Sequence, residues 1–369
     1  MEQGGRRRRS LRWLGVCWLA LCAVAIGLTA GEVWLRYRWH AGEEAAQRFA
    51  RPNAFLQNQG LGVSTGLWLV RQESYKPNAS VVFEVEGVLH EVRINSRGFR
   101  TREFDVPKPE DVYRIACIGA STTFQGLTTD TTYPAILESR LRAEFPDREL
   151  EVLDLGVSGT QSDYWLERFD RLLEIQPDLV VQYNGVNDLI REHAGAWAAA
   201  HPGAAWLRRE SLLWNAWIPL PGRQYEPFLE RTRERFAALD HLLVSHGIDH
   251  VVGTVAAPDL LAPSNGKRAY LDRVTREWSG GALGDYRQYA DLVALHNEGL
   301  LRWVQASGVP CARPDRAVRQ PSLYTDICHM QPAGIERLAG AFFDTVAARL
   351  RLRWRDPTGS AIDAAETAP

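Results

Sequence analysis

The chain has 369 residues, of which 45% are hydrophobic and 24% charged, and its formal net charge is −2. This composition is ordinary for a globular protein, and the length allows one large domain or two modest ones, each with an apolar core. The near-neutral charge argues against a nucleic-acid partner, which requires a clustered basic face.

The N-terminus combines a basic run with an apolar segment. Residues 6–9 are all arginine, and residues 13–30 contain no charged side chain. Such a stretch is just long enough, as a helix, to cross a bilayer, and preceding positive charges favour a cytoplasmic N-terminus. We therefore expect a basic cytoplasmic segment at 1–12 and a single-pass inner-membrane anchor at 13–30, with a periplasmic or otherwise extracytoplasmic domain. A cleaved signal peptide and a buried soluble helix are the alternatives.

Five cysteines fall in three settings. Cys17 and Cys22 lie in the apolar segment, and Cys117 lies within a predicted strand as a small buried residue. Cys311 and Cys328 lie near each other in the C-terminal region, where they either pair or remain free thiols.

The remaining chain divides into a short β region, a strand–helix alternation and a tail. Residues 31–111 are expected to form a linker with a hairpin at 80–94, and 353–369 a disordered tail. Strands and helices alternate over 112–352, which predicts a parallel sheet of about five strands with helices on both faces. Strands are expected at 112–119, 150–159, 177–188, 249–258 and 309–314, and helices at 133–145, 163–175, 226–247, 289–308 and 332–354.

Three of these strands end in glycine and polar residues. The ends carry Ser121, Gly159 and Asn187, and a fourth segment places Asp326 three residues before His329. Because the carboxyl ends of parallel strands lie along one edge of a sheet, these loops are expected to meet at one crevice.

These residue types together suit acyl transfer. A serine hydroxyl needs a base to become a nucleophile, imidazole titrates near neutrality, and a carboxylate can orient the imidazole. The tetrahedral intermediate needs hydrogen-bond donors, which the backbone N–H groups of Ser121 and Gly159 and the side-chain amide of Asn187 can supply.

The four segments resemble the conserved blocks of the SGNH hydrolases, also called GDSL lipases and esterases. "IGAST", "GVSGT", "GVND" and "DICH" follow one another in the order of that superfamily, over residues 112 to about 350. The resemblance implies a three-layer α/β/α sandwich with a flavodoxin-like sheet. It also implies Ser121, Asp326 and His329 as the catalytic triad, and Ser121, Gly159 and Asn187 as the oxyanion hole.

One residue departs from the pattern of that superfamily. Ala120 stands where an aspartate usually precedes the nucleophile, and we expect this to affect the rigidity of the loop more than the type of reaction. Asp188, next to Asn187, is the nearby carboxylate expected to support the loops in its place.

The sequence therefore predicts a serine-dependent ester hydrolase that acts on a small-molecule or glycan ester of the cell envelope, or on a lipid. An O-acyltransferase of envelope polysaccharide and a non-catalytic glycan-binding protein are the alternatives. No cofactor or metal is expected, because His241, His246 and His250 lack metal-site spacing. A Trp-rich insertion at 189–225 forms either a wall of the site, its own small core, or a surface on the membrane.

Overall fold

The architecture described here is that of a computed structural model. It describes residues 13–37, 75–85, 87–217, 226–259 and 265–355. The expected basic segment at 1–12 and nearly all of the expected disordered tail lie outside these residues.

A five-stranded parallel sheet forms the centre of the molecule. Its strands, in spatial order, are β4 (Glu149–Gly156), β3 (Val112–Gly119), β5 (Leu179–Tyr183), β6 (Asp249–Gly253) and β7 (Cys311–Ala312). The first two strands in the chain, β1 (Ser80–Val85) and β2 (Val88–Arg93), form a separate antiparallel hairpin. Within the parallel sheet, β4 follows on one side of β3, and β5, β6 and β7 follow on its other side. This is the flavodoxin-like strand order.

Helices cover both faces of the sheet. The helices are α1 (Trp13–Tyr37), α2 (Ser121–Phe124), α3 (Tyr133–Glu144), α4 (Tyr164–Glu167), α5 (Phe169–Ile175), α6 (Ala194–Ala200), α7 (Pro202–Glu210), α8 (Leu212–Trp217), α9 (Glu226–Ser245), α10 (Asn265–Trp278), α11 (Tyr286–Ser307), α12 (Pro314–Ala317) and α13 (Pro332–Arg355). Short turns of 3₁₀ helix at Thr129–Thr131 and Pro321–Leu323, and a π-helical turn at Asp188–His193, lie between them.

Alternating side chains of β3 separate the two faces, as the pleat of a strand requires. Ile115 and Cys117 are fully buried on the face covered by α3 and α13. Ala116 and Ile118 are buried on the opposite face, against α4, α5 and α9. The protein is therefore the three-layer α/β/α sandwich that the resemblance implied.

The structure differs from the predicted elements in several places, among them the strands expected at 249–258 and 309–314, which span Asp249–Gly253 and Cys311–Ala312. The helix expected at 163–175 is broken at Arg168 into α4 and α5. The strand expected at 177–188 ends at Tyr183, because the following residues turn into the site. Helix α10 has no counterpart among the predicted elements.

Helix α1 is the one helix among the described residues that is long and apolar enough to cross a membrane. It has 25 residues, and none of its most apolar 18-residue window is buried inside the protein. The helix continues past the predicted anchor at 13–30 as far as Tyr37, and this continuation contacts the insertion.

Candidate active site

The carboxyl end of β3 brings three of the predicted loops together. Gly119 pairs with Gly156 of β4 on one side and with Tyr183 of β5 on the other, so the loops that follow these strands are neighbours. A Cβ atom at Gly119 would lie 2.5 Å from the carbonyl oxygen of Tyr183, so no larger residue fits this strand end. Ser121 opens helix α2 directly after it and is 8% exposed.

Asp326 and His329 form a buried pair in the loop before α13. Asp326 Oδ2 lies 2.7 Å from His329 Nδ1, while its Oδ1 accepts the backbone N–H groups of Cys328 at 2.9 Å and His329 at 2.7 Å. Both side chains are almost fully buried, at 0% and 3% exposure. One carboxylate therefore binds the imidazole directly and holds the backbone of its loop by two further hydrogen bonds.

The pair shifts the pKa of each partner toward the charged form. Burial alone would lower the pKa of the His329 imidazole, but the Asp326 carboxylate raises it well above its ordinary value. Burial alone would raise the pKa of Asp326, but the charge and hydrogen bond of His329, with the two backbone donors, bring it below its ordinary value. Asp326 is thus ionised when His329 takes up a proton.

The other imidazole nitrogen is available for proton transfer. His329 Nε2 is buried and has no hydrogen-bond partner in the described part of the chain. The hydrogen bond between Ser121 and His329 is therefore not formed in this structure, and such bonds often tighten only when substrate binds.

Gln125 connects helix α2, which begins at Ser121, with the loop of His329, and the sequence analysis missed it. Its Oε1 accepts the backbone N–H of Met330 at 2.7 Å, and its own backbone N–H donates to the carbonyl of Ser121 at 2.9 Å. Its Nε2 donates to the carbonyl of Thr122. Gln125 therefore contacts Ser121 through its backbone N–H and the residue after His329 through its buried side chain.

Helix α10 adds two further residues that the sequence analysis missed. Lys267 Nζ donates to the carbonyl of Tyr324 at 2.6 Å, and burial lowers the pKa of this lysine to about 8 although the charge of Asp326 opposes the shift. The ring of Trp278 meets that of His329 edge-on, with centroids 5.7 Å apart. Both contacts hold the loop that carries Asp326 and His329.

The three predicted oxyanion donors differ in their hydrogen bonds to the rest of the protein. The backbone N–H groups of Ser121 and Gly159 donate to no described residue, and Gly159 has a φ of +82°, which favours glycine. Asn187 Nδ2 donates one hydrogen to the carbonyl of Thr160 at 2.8 Å, which fixes the amide and leaves its second hydrogen for a ligand. The donors are thus positioned independently of any substrate.

Asp188 supports the glycine loop rather than the nucleophile loop. Its buried carboxylate accepts the backbone N–H and the hydroxyl of Ser162, and Arg235 lies 3.3 Å from Oδ1. Burial raises the pKa of Asp188, and the Ser162 and Arg235 contacts oppose that shift. The carboxylate therefore joins the loop after β4 to the loop after β5.

The segment before the sheet supports the nucleophile helix. Arg100 is fully buried and donates to the carbonyls of Phe124 at 2.7 Å and Gly126 at 2.9 Å. Tyr75 packs on Phe124, with ring centroids 4.6 Å apart, and exchanges hydrogen bonds with Ser158. These residues, and not a carboxylate at position 120, hold the loop in which Ala120 stands.

The insertion packs partly as a core and is partly exposed. Trp197 is buried in an apolar cluster with Ile190 and Tyr270, and Ile327 of the triad loop lies in the same cluster. Trp206 is 55% exposed and Trp214 is half-buried. The other tryptophan of the insertion has no described side chain, and residues 218–225 lie outside the described residues.

The structure places the two C-terminal cysteines and one group of possible metal ligands. Cys311 and Cys328 are both free thiols, and Cys328 Sγ lies 3.7 Å from His329 Nδ1. Ligand atoms of Asp326, Cys328 and His329 lie within 4.8 Å of one another, the one such group among the described residues. Because Asp326 and His329 already share a hydrogen bond, the group as it stands is arranged for proton transfer through His329.

Comparisons with known proteins identify the same region. The GDSL-like lipase/acylhydrolase family model matches residues 117–337, which contain Ser121, Gly159, Asn187, Asp326 and His329. No curated protein sequence matches the chain.

Several solved structures resemble it at low identity. A GDSL-like lipase from Bacteroides thetaiotaomicron is 14% identical, with 64% of this chain and 88% of that chain covered and a TM-score of 0.37. An acetylxylan esterase from Geobacillus stearothermophilus is 15% identical, with 63% and 94% covered and a TM-score of 0.39.

Proposed function

Because this chain belongs to the GDSL-like lipase/acylhydrolase family, whose activity is ester hydrolysis, we propose that it cleaves carboxylic esters through an acyl-serine on Ser121. The buried Asp326–His329 pair carries the proposal, since its free Nε2 lies in a loop that Gln125 joins to the Ser121 helix. A serine hydroxyl becomes a competent nucleophile when such a base takes its proton.

The reaction has two balanced halves. The Ser121 oxygen attacks the ester carbonyl while His329 Nε2 takes the hydroxyl proton, and the protonated imidazole then returns that proton to the departing alcohol. Water next attacks the acyl-serine, giving its proton to His329, and the carboxylic acid leaves as the serine is regenerated. The Ser121 and Gly159 N–H groups and the Asn187 amide stabilise the oxyanion in both halves.

We further propose that the substrate is an acyl ester of the bacterial cell envelope, and that α1 anchors the enzyme in the inner membrane with the site outside the cytoplasm. The length of α1, its exposed apolar side chains and the arginines at 6–9 support this placement. A C-terminal fusion to a reporter active only in the periplasm should therefore be active. Activity of a cytoplasm-only reporter in the same position would contradict the orientation.

Serine-directed labelling tests the chemistry. The full chain in detergent should hydrolyse short-chain p-nitrophenyl esters and take up a fluorophosphonate at Ser121. Ser121→Ala and His329→Ala should each lower the rate by orders of magnitude, because triad members act as a unit. Ser245→Ala is the control, since this serine is exposed at the end of α9. Folded wild-type protein that neither reacts with the label nor cleaves esters would refute the proposal.

A further inference from the structure

The end of the apolar helix α1 is bound to the insertion. The carboxylate of Glu32 accepts the backbone N–H groups of Leu212 at 3.1 Å and Leu213 at 2.9 Å, and the hydroxyl of Ser211 at 2.9 Å. These are the first residues of α8 and the residue before it. One side chain of α1 therefore satisfies the otherwise unpaired donors at the start of another helix.

Two more contacts join the same elements. Arg36 Nη2 donates to the carbonyl of Glu210 at 2.7 Å, and Arg36 also pairs with Glu32 at 2.9 Å. A Cβ atom at Gly31 would lie 3.3 Å from Leu213 Cδ1, so the two helices approach each other closely at this glycine. The turn between α7 and α8 is thus held at the first charged residues of α1.

The position of these contacts along α1 determines their height relative to a bilayer. The uncharged residues 13–30 rise about 27 Å as a helix, close to the thickness of the hydrocarbon core. Glu32 and Arg36 follow immediately, so they emerge at the level of the lipid headgroups. The turn at residues 210–213, which they bind, lies at the same level.

The insertion presents suitable side chains at this level. Ala204 and Ala205 of α7 pack inward on the apolar cluster that contains Trp197. The next residue, Trp206, is 55% exposed, and Trp214 is half-buried. Tryptophan is favoured at a membrane interface because its large ring is apolar and its N–H is polar.

We propose that the face of the insertion formed by α7 and α8 rests on the lipid bilayer beside α1. Because this face is continuous with the helix that enters the membrane, we assign lipid as its partner and not a soluble protein. This inference rests on the proposed membrane span and is independent of the proposed ester hydrolysis.

The same contact restricts the distance between the active site and the membrane. Residues 188–210 connect Asn187 to the headgroup-level turn, and as helix they span at most about 35 Å. The oxyanion side of the site is therefore joined to the membrane by a packed helical segment. Under the proposed function, this favours acyl esters carried by the membrane itself, such as acylated lipids or lipid-linked glycans.

Photo-crosslinking in a membrane tests the docking face. The full chain, with p-benzoylphenylalanine in place of Trp206, is reconstituted in vesicles of phosphatidylethanolamine and phosphatidylglycerol and irradiated. The matched control has the same group in place of Val244, which is 64% exposed at the end of α9. A second control replaces Leu21, which is 66% exposed on α1. We expect several-fold more lipid adducts at 206 than at 244, and strong labelling at 21.

Each other outcome has a distinct meaning. Labelling at 21 with no excess at 206 over 244 overturns the docking proposal and leaves the membrane span standing. Absence of labelling at both 21 and 206 overturns the span and the docking face together. Fluorophosphonate labelling of the same variants reports ester-hydrolase chemistry separately, so its loss with lipid adducts retained at 206 would refute the proposed function alone.

Discussion

Gln125 and Met330 are joined by a 2.7 Å hydrogen bond from the Met330 backbone N–H to the Gln125 side-chain oxygen. The glutamine lies one helical turn after Ser121, and the methionine directly follows His329. Because Gln125 is 3% exposed and also donates to the carbonyl of Thr122, its side chain has one available orientation. This side chain therefore sets the separation between Ser121 and His329, the proposed nucleophile and base.

We expect Gln125→Ala to lower kcat for p-nitrophenyl ester hydrolysis by about 10²-fold, since misplacement of about 1 Å costs that much. KM should change little, because Gln125 acts through Ser121 and His329 and not through substrate. Gln125→Glu, which keeps an acceptor for Met330, should retain more activity. Gln161→Ala removes a glutamine that binds Glu192 instead and is the matched control. A rise in KM at constant kcat would contradict the positioning role.

The central sheet and the four site segments were predictable from the sequence. Their signal is local, because each is an apolar strand that stops at a glycine and is followed by a polar residue. The pattern occurs at Gly119–Ser121, at Gly156–Gly159 and near Asn187. Strand pairing then makes these ends neighbours, because Gly119 is in register with Gly156 and Tyr183. The length of α1, which is sufficient to span a membrane, was likewise predictable from composition alone.

The residues that hold the site were not predictable. Gln125, Arg100 and Lys267 act through side-chain bonds to distant backbone carbonyls or N–H groups, and such partners have no signature in local sequence. Helix α10, which carries Lys267, was missed because it begins with Asn265 and Gly266, a typical turn pair, and most of its residues are polar or charged. Ala120 was expected to weaken its loop, whereas Arg100 supplies buried donors that hold the end of that loop.

The pH dependence of the reaction should reflect the Asp326–His329 pair. Asp326 raises the pKa of the His329 imidazole above its ordinary value near 6.5, and the neutral imidazole is the active base. We therefore expect kcat/KM to rise with pH through a midpoint above 6.5. Asp326→Asn removes the largest upward influence while burial still lowers the pKa of His329, so the midpoint should shift downward while the plateau rate falls. A midpoint that does not move would refute this assignment.

Cys328→Ala provides the control for this profile. Its thiol lies as close to the imidazole as 3.7 Å, but burial raises the pKa of the thiol, so it is neutral while His329 titrates. The midpoint of kcat/KM should therefore move much less than in Asp326→Asn, because Cys328 contributes less than Asp326 to the raised pKa of His329.

Asp188→Ala should destabilise the fold and lower activity together. It leaves the buried Ser162 N–H and hydroxyl without their acceptor, which we expect to cost about 3 kcal/mol in the free energy of unfolding. Asp163→Ala is the matched control, because it removes another partner of Arg235 at a half-exposed position and should cost less than about 1 kcal/mol. Urea unfolding measures both. Equal losses for the two variants would contradict a special role for Asp188.

The contact between α1 and the insertion makes a prediction that hydrogen exchange can test in the full chain in detergent. Glu32 accepts the backbone N–H groups of Leu212 and Leu213, so these amides should exchange slowly in the wild type. Glu32→Ala removes the acceptor, and loss of such a helix-start contact costs about 1 kcal/mol, or about a five-fold faster exchange. Val33→Ala, at a neighbouring position that is 61% exposed, should leave the exchange unchanged. Hydrolysis of a soluble p-nitrophenyl ester should be the same in all three proteins, because Glu32 lies outside the catalytic groups. Exchange at 212 and 213 that is equally fast with and without Glu32 would show that the end of α1 does not hold the insertion.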